Sequence, residues 1–146
     1  ASQKVGQSAA PLFLDRIDIQ CEISALPFKE LSKAAPGEPS AKIRERVIAA
    51  RALQTARFKD VPGVHCNSQM TERMIHQYAE PDEQGLDLMR LAMERLSLSA
   101  RAYSRILKVA RTIADLAASP TVRPEHISEA ITYRQLDRSD WAERGL

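Results

Sequence analysis

Ser99-Ala100-Arg101-Ala102-Tyr103-Ser104-Arg105-Ile106-Leu107-Lys108-Val109-Ala110-Arg111-Thr112-Ile113-Ala114-Asp115-Leu116 is the stretch that decides the fold. Tyr103, Ile106, Leu107, Ala110, Ile113, Ala114 and Ala117 recur at steps of three and four, which lines one face of an α-helix. The Ser99 hydroxyl can accept a backbone N–H and cap the start. Ser119-Pro120 closes the end, because proline has no N–H to continue the ladder. The spacing predicts a helix over about residues 100–118. At ~100° per residue, Arg101, Arg105 and Lys108 fall within about 60° of one another, opposite the apolar stripe. One face is built for a core, and the other meets solvent or an anion.

Working outward, the same period recurs on both sides. Ser40 is a candidate N-cap for a helix over 41–58, with Ile43, Val47, Ala50 and Leu53 as inner positions. Asn67 or Ser68 can cap a helix over 69–79 whose stripe is Met70, Met74, Ile75 and Tyr78. Leu88, Leu91, Ala92 and Leu96 mark another over 84–96. Pro124 suits the first turn of a last helix over 124–136, with Ile127, Ala130, Ile131 and Arg134 on one face. Loops fall at Pro62-Gly63 and Pro81, and residues 32–40 hold two prolines and a glycine. Only Ile17-Asp18-Ile19-Gln20-Cys21-Glu22-Ile23 alternates apolar and polar residues as a half-buried strand does. A lone strand leaves its backbone groups unpaired, so this one is expected to come from a larger sheet or to pair elsewhere.

The fold class expected is therefore mainly α: a bundle of four to five helices with one amino-terminal β-strand. Residues 1–10 are polar and aperiodic, and are expected to be a disordered or cut end. Residues 11–31 carry the strand, 32–40 a linker, 41–136 the helical domain and 137–146 a polar tail containing Trp141.

Composition agrees. The chain has 146 residues, of which 44% are hydrophobic but only 5% aromatic, so the core must be aliphatic. Five glycines are few for a sheet protein. Lys and Arg number 21 against 19 Asp and Glu, a net charge of 21 − 19 = +2. That balance predicts no nucleic-acid binding by itself. Basic residues do cluster locally: Lys42, Arg44, Arg46, Arg51, Arg57 and Lys59 oppose only Glu45 over residues 40–59. Such a face could meet DNA phosphates or simply be solvated. No apolar run approaches the ~20 residues of a membrane span, and no signal peptide is visible, so a cytoplasmic setting without membrane contact is expected.

The chemistry the sequence lacks is equally informative. A phosphate-binding loop needs Gly-x-x-x-x-Gly-Lys-Ser/Thr. None of Gly6, Gly37, Gly63, Gly85 and Gly145 precedes Lys-Ser or Lys-Thr. Asp82-Glu83 follows Ala79-Glu80-Pro81 rather than a buried apolar strand, so no magnesium-holding carboxylate is in place. Cys21 and Cys66 form no Cys-x-x-Cys pair, and His65, Cys66 and His76 lack a zinc-ligand pattern, so no metal site is expected.

Four segments carry a resemblance: Pro11-Leu12-Phe13-Leu14-Asp15-Arg16-Ile17-Asp18-Ile19, Asn67-Ser68-Gln69-Met70, the stretch from Leu96 to Leu116, and His126-Ile127-Ser128-Glu129-Ala130-Ile131-Thr132-Tyr133-Arg134. In that order they resemble the C-terminal part of the magnesium-chelatase-like AAA+ ATPases, in particular the ComM/YifB branch. The likeness spans about residues 11–138. It departs where the family usually reads Ser-Gly-Pro-Leu-Leu-Asp-Arg, since Ala9-Ala10-Pro11-Leu12-Phe13-Leu14-Asp15-Arg16 stands here.

The resemblance implies a helical lid domain, with residues 11–31 a remnant of an α/β ATPase core. It implies that Arg16 matches the catalytic arginine finger, which reaches the phosphate held by a neighbouring subunit. It implies that Arg101 matches the sensor-2 arginine, which contacts the nucleotide of its own subunit. The cofactors implied for the full-length protein are ATP and Mg2+, with none expected on this stretch alone. The partners implied are the ATPase core of the same chain, identical subunits in a ring such as a hexamer, and DNA as a candidate substrate of the motor. Two alternatives stand beside it. One is the ATPase subunit of a magnesium chelatase; the other is a stand-alone helical protein-interaction module.

Overall fold

The computed structural model describes residues 16–21, 23, 25 and 35–134. The expected ends at 1–10 and 137–146, most of 11–31 and the last two residues of the helix expected over 124–136 lie outside the described residues. The architecture is a bundle of five α-helices: α1 (Ser40–Arg57), α2 (Glu72–Tyr78), α3 (Glu83–Leu96), α4 (Ala100–Leu116) and α5 (Pro124–Thr132). A single 3-10 turn, Asn67–Gln69, precedes α2.

α4 is the axis. It packs against α1, α2, α5 and the 3-10 turn, while α3 lies on α5. Of its expected stripe, Ile106, Leu107, Ala110 and Ala114 are nearly inaccessible, Tyr103 and Ile113 are half-buried and Ala117 is exposed; Ala102, outside that stripe, is buried as well. They meet Met70 and Ile75 from the α2 side, Met89 of α3, and Ile127 and Ala130 of α5. Alanines at Ala102, Ala110, Ala114 and Ala130 let the helices approach closely, which is how an aliphatic core with few aromatics fills its volume. The aromatic exception is Phe58, whose ring meets that of Tyr78 edge-on, with centroids 5.7 Å apart.

The caps show why these helices begin and end where they do. The Ser99 hydroxyl accepts the Ala102 N–H at 3.2 Å, and the Asp82 carboxylate accepts the Gly85 N–H at 2.8 Å. At the far end of α4 the Ser119 N–H reaches the Ala114 carbonyl and the Ala118 N–H the Asp115 carbonyl. Ala118 sits at φ 51°, so the end is a Schellman motif closed by alanine where glycine is usual.

Several expectations need correction. The alternating run gives no strand: residues 17–21 and 23 carry no strand assignment. Gln20, a polar position of the pattern, is buried, whereas Ile19 and Ile23 are 54% and 92% exposed. The Gln20 N–H donates to the Tyr133 carbonyl at the end of α5, at 2.9 Å, rather than to another strand.

Ser40 is the first residue of α1 rather than its cap; Pro39 stands at the N-cap, with no side-chain hydrogen bond. Asn67 and Ser68 lie in the 3-10 turn, and the cap of α2 is Thr71, whose hydroxyl accepts the Met74 N–H. Of the four inner positions expected for α1, one is buried. Ala50 is buried, but Ile43, Val47 and Leu53 are 43%, 48% and 42% exposed. An 18-residue helix is about 27 Å long. Only its carboxy-terminal half lies over the bundle, where Ala50, Gln54 and Phe58 are buried.

Candidate functional site

The basic face of α4 carries Arg101, Arg105 and Lys108, and the Arg16 main chain reaches it through Arg105. Arg101 lies in the first turn, just after the Ser99 cap, and is exposed. No described residue pairs with it. The first backbone N–H groups of a helix have no partner inside it and favour negative charge. A guanidinium at that end adds a planar, permanently charged fork. Arg101 and the start of α4 therefore form a small cationic end suited to a phosphate group.

Arg105 follows one turn later on nearly the same face. Its Nη1 donates to the Arg16 carbonyl at 3.1 Å and to the Asp18 carboxylate at 2.5 Å. The Arg134 Nη1 donates to the Ile17 carbonyl at 2.6 Å. With the Gln20–Tyr133 bond, these contacts dock Arg16 to Gln20 against α4 and the end of α5. Arg16 itself is exposed. The structure thus links the two arginines singled out in the sequence through Arg105, with Arg16 held by its backbone and Arg101 one turn away. Lys108, the third basic residue of the face, donates to the Ser68 carbonyl at 3.0 Å and so ties α4 to the 3-10 turn.

Beneath the carboxy-terminal half of α4 lies a buried polar network that sequence reading missed. Asp115 is its hub. Arg57 of α1 grips it with both terminal nitrogens, at 2.9 and 2.5 Å. Arg111 donates to it from Nε and Nη2, at 3.2 and 3.0 Å. The Asn67 side-chain amide donates to it at 2.8 Å and accepts from Arg57 at 2.8 Å. Gln54, also buried, accepts the Asn67 backbone N–H at 3.0 Å. Arg111 completes its set on main-chain oxygens, reaching the carbonyls of Ser119 at 2.6 Å and Pro120 at 3.1 Å.

Burial pushes the Asp115 carboxyl up. The hydrogen bonds from Arg57 and Asn67 and the charges of Arg111 and Arg57 outweigh that, and hold it below the usual carboxylate range. Burial depresses Arg111 while the Asp115 charge opposes the shift. The sequence carried one usable signal: Arg111 and Asp115 are an i,i+4 pair of opposite charge beside the apolar stripe rather than opposite it. Arg57, Asn67 and Gln54 come from distant positions and had none.

The remaining polar candidates are local. Cys66 lies beside the Ser68 hydroxyl at 3.1 Å, and His76 pairs with Glu80 on the surface at 2.9 Å. His126 is buried and its Nδ1 accepts the Arg123 N–H, closing the start of α5. Among the described residues no three His, Cys, Asp or Glu side chains converge as metal ligands. No helix among them is long and apolar enough to cross a membrane.

Comparison with known proteins assigns the bundle. Residues 37–134 match the family described as magnesium chelatase, subunit ChlI C-terminal. The protein YifB of Escherichia coli (strain K12) is 39% identical over 127 residues, 86% of this chain and 24% of that protein. The competence protein ComM of Haemophilus influenzae is 35% identical over the same length and shares. Protein Rv2897c of Mycobacterium tuberculosis (strain H37Rv) is 30% identical over 131 residues, 90% of this chain and 25% of that protein. The helical bundle is the lid region of a magnesium-chelatase-like AAA+ protein. The chain belongs to the magnesium chelatase ChlI C-terminal family, and its similarity to YifB and ComM places it in their branch. It spans about a quarter of the length of the curated relatives it matches.

Proposed function

We propose that this chain is the lid of a ring-forming ATPase and supplies two arginines to ATP hydrolysis. The observation that carries the reading is Arg101, exposed in the first turn of a capped helix. Such an end suits the terminal phosphate of a nucleotide held by the ATPase core of the same protein. ATP with Mg2+ supplies the phosphoryl group and its charge neutralisation. Arg101 orients and senses that group in its own subunit. Arg16, exposed on a docked backbone, extends toward the nucleotide of the next subunit. There its fork opposes the charge that spreads over the phosphoryl oxygens during transfer.

Arg101→Ala in the full-length protein should cut ATP turnover by about 10²-fold or more, the scale of losing a positioned charge at a reacting phosphate. Circular dichroism should be unchanged, since Arg101 is exposed and makes no hydrogen bond or ion pair with a described residue. Wild-type turnover in that variant would refute the sensing role.

For the substrate of the motor, DNA is the first reading. It rests on the exposed cations Lys42, Arg44 and Arg51 of α1, and is compatible with the name competence protein borne by one relative. A chelatase motor driving metal insertion is the second reading, favoured by the family description. Addition of single-stranded or branched DNA separates them. Stimulated turnover supports the first, and indifference to DNA supports the second.

A further inference from the structure

We infer that Arg105 is a positioning residue for Arg16, a latch through which the nucleotide-sensing helix fixes the arginine offered to the neighbouring subunit. The inference rests on the finger reading of Arg16 given above and adds the device that aims it.

Three of the contacts that dock Arg16 to Gln20 use its main chain: the carbonyls of Arg16 and Ile17 and the N–H of Gln20. A main chain held at consecutive peptides has a fixed course. The side chain it carries at Arg16 stays exposed and free to reach outward. A residue that must act on another subunit needs this combination, a rigid base and an accessible head. A displacement of 1 Å at such a group can cost ~10²-fold in rate.

Arg105 also binds a side chain, Asp18, and it is the anchor on α4. Its ion pair is partly exposed, with side chains 33% and 48% accessible, so it adds little to overall stability. Its place is what matters. It lies four positions after Arg101, a rise of about 6 Å on a rigid helix. Movement of the start of α4 when Arg101 meets a phosphate therefore carries the Arg16 backbone with it.

Charge reversal tests the latch. In the 146-residue chain, Arg105→Asp should speed hydrogen exchange at the Gln20 amide, and Arg105→Asp with Asp18→Arg should slow it again. In the full-length protein, Arg105→Asp should lower kcat for ATP by ~10-fold or more while KM changes less than about two-fold, as expected for lost positioning rather than lost binding. The double reversal restores the ion pair with position 18 but not the donation to the Arg16 carbonyl, so it should recover part of kcat.

Unchanged exchange at Gln20 in Arg105→Asp overturns the latch whatever the ATPase does. Wild-type kcat in Arg105→Asp beside a defective Arg16→Ala also overturns it and leaves the finger reading standing. Normal turnover in Arg16→Ala, with exchange at Gln20 responding to Arg105, removes the finger reading and with it the role of the latch in catalysis.

Discussion

At the scale of the residue, Asp115 decides the most. It is buried against two guanidinium groups and one amide; Arg111 shares its helix, while Arg57 and Asn67 come from segments that must stay seated on α4. Asp115→Asn keeps the volume and removes the charge. Arg57 and Arg111 then lose their counter-ion inside the protein, which should destabilise by about 3–5 kcal/mol, the scale of breaking a buried ion pair from one side. Urea unfolding of the variant measures it, and a loss below about 1 kcal/mol, the level of an exposed pair, would refute the hub. The pH dependence has a definite sign. The folded carboxyl lies below its usual range. Its contribution is therefore complete above the unfolded value of about 3.9 and is lost as pH falls through the lower folded one. Melting temperature should be insensitive to this residue from pH 8 to about pH 5. It should fall more steeply in the native chain than in Asp115→Asn below about pH 4.

At the scale of the element, α1 and α4 contrast. Both show an apolar period, but α4 packs against α1, α2, α5 and the 3-10 turn, whereas α1 packs chiefly against α4. Ile106→Ala should cost about 2–5 kcal/mol by opening a cavity among α4, α2 and α5. Val47→Glu should change stability by less than about 0.5 kcal/mol, as at other surface positions. Paired thermal melts check both, and a large loss in the second would place Val47 in the core. The contrast also marks what could be read in advance. Helices α4 and α5 were legible because most of their stripes coincide with their contacts, whereas in α3 the buried residues are Gly85, Met89 and Ala92 and the expected Leu91 is exposed. Ile43 and Val47 carry the same period, yet periodicity names a face without saying whether anything lies opposite it. The alternation at 17–23 misled for a related reason: a pleat pattern needs a partner, and the described backbone of that run finds a helix end instead. Within the candidate site, Arg101 and Arg16 stood out through resemblance. Arg105 stood out only as a basic residue, because its acceptor is a carbonyl 89 positions away.

At the scale of the whole molecule, the function proposed for Arg16 and Arg101 divides labour between subunits, and that proposal can be tested by mixing variants. Full-length Arg16→Ala subunits mixed with subunits mutated in the phosphate-binding lysine should recover part of the lost ATPase activity. Where an Arg16→Ala subunit holds the nucleotide and a lysine-mutant subunit supplies the finger, the interface has one intact nucleotide site and one intact finger. No recovery over either variant alone would argue that Arg16 does not act in trans. Packing around α4 also bears on how this lid tolerates change. Arg111 holds the turn after α4 through the carbonyls of Ser119 and Pro120, and it reads no side chain there. A backbone oxygen is present whatever the residue. Sequence drift at Ser119 should therefore be absorbed so long as the loop keeps its course. Arg111 has no such latitude, because no other side chain offers the same fork. A saturation library of this lid would return a permissive loop wrapped around an intolerant arginine.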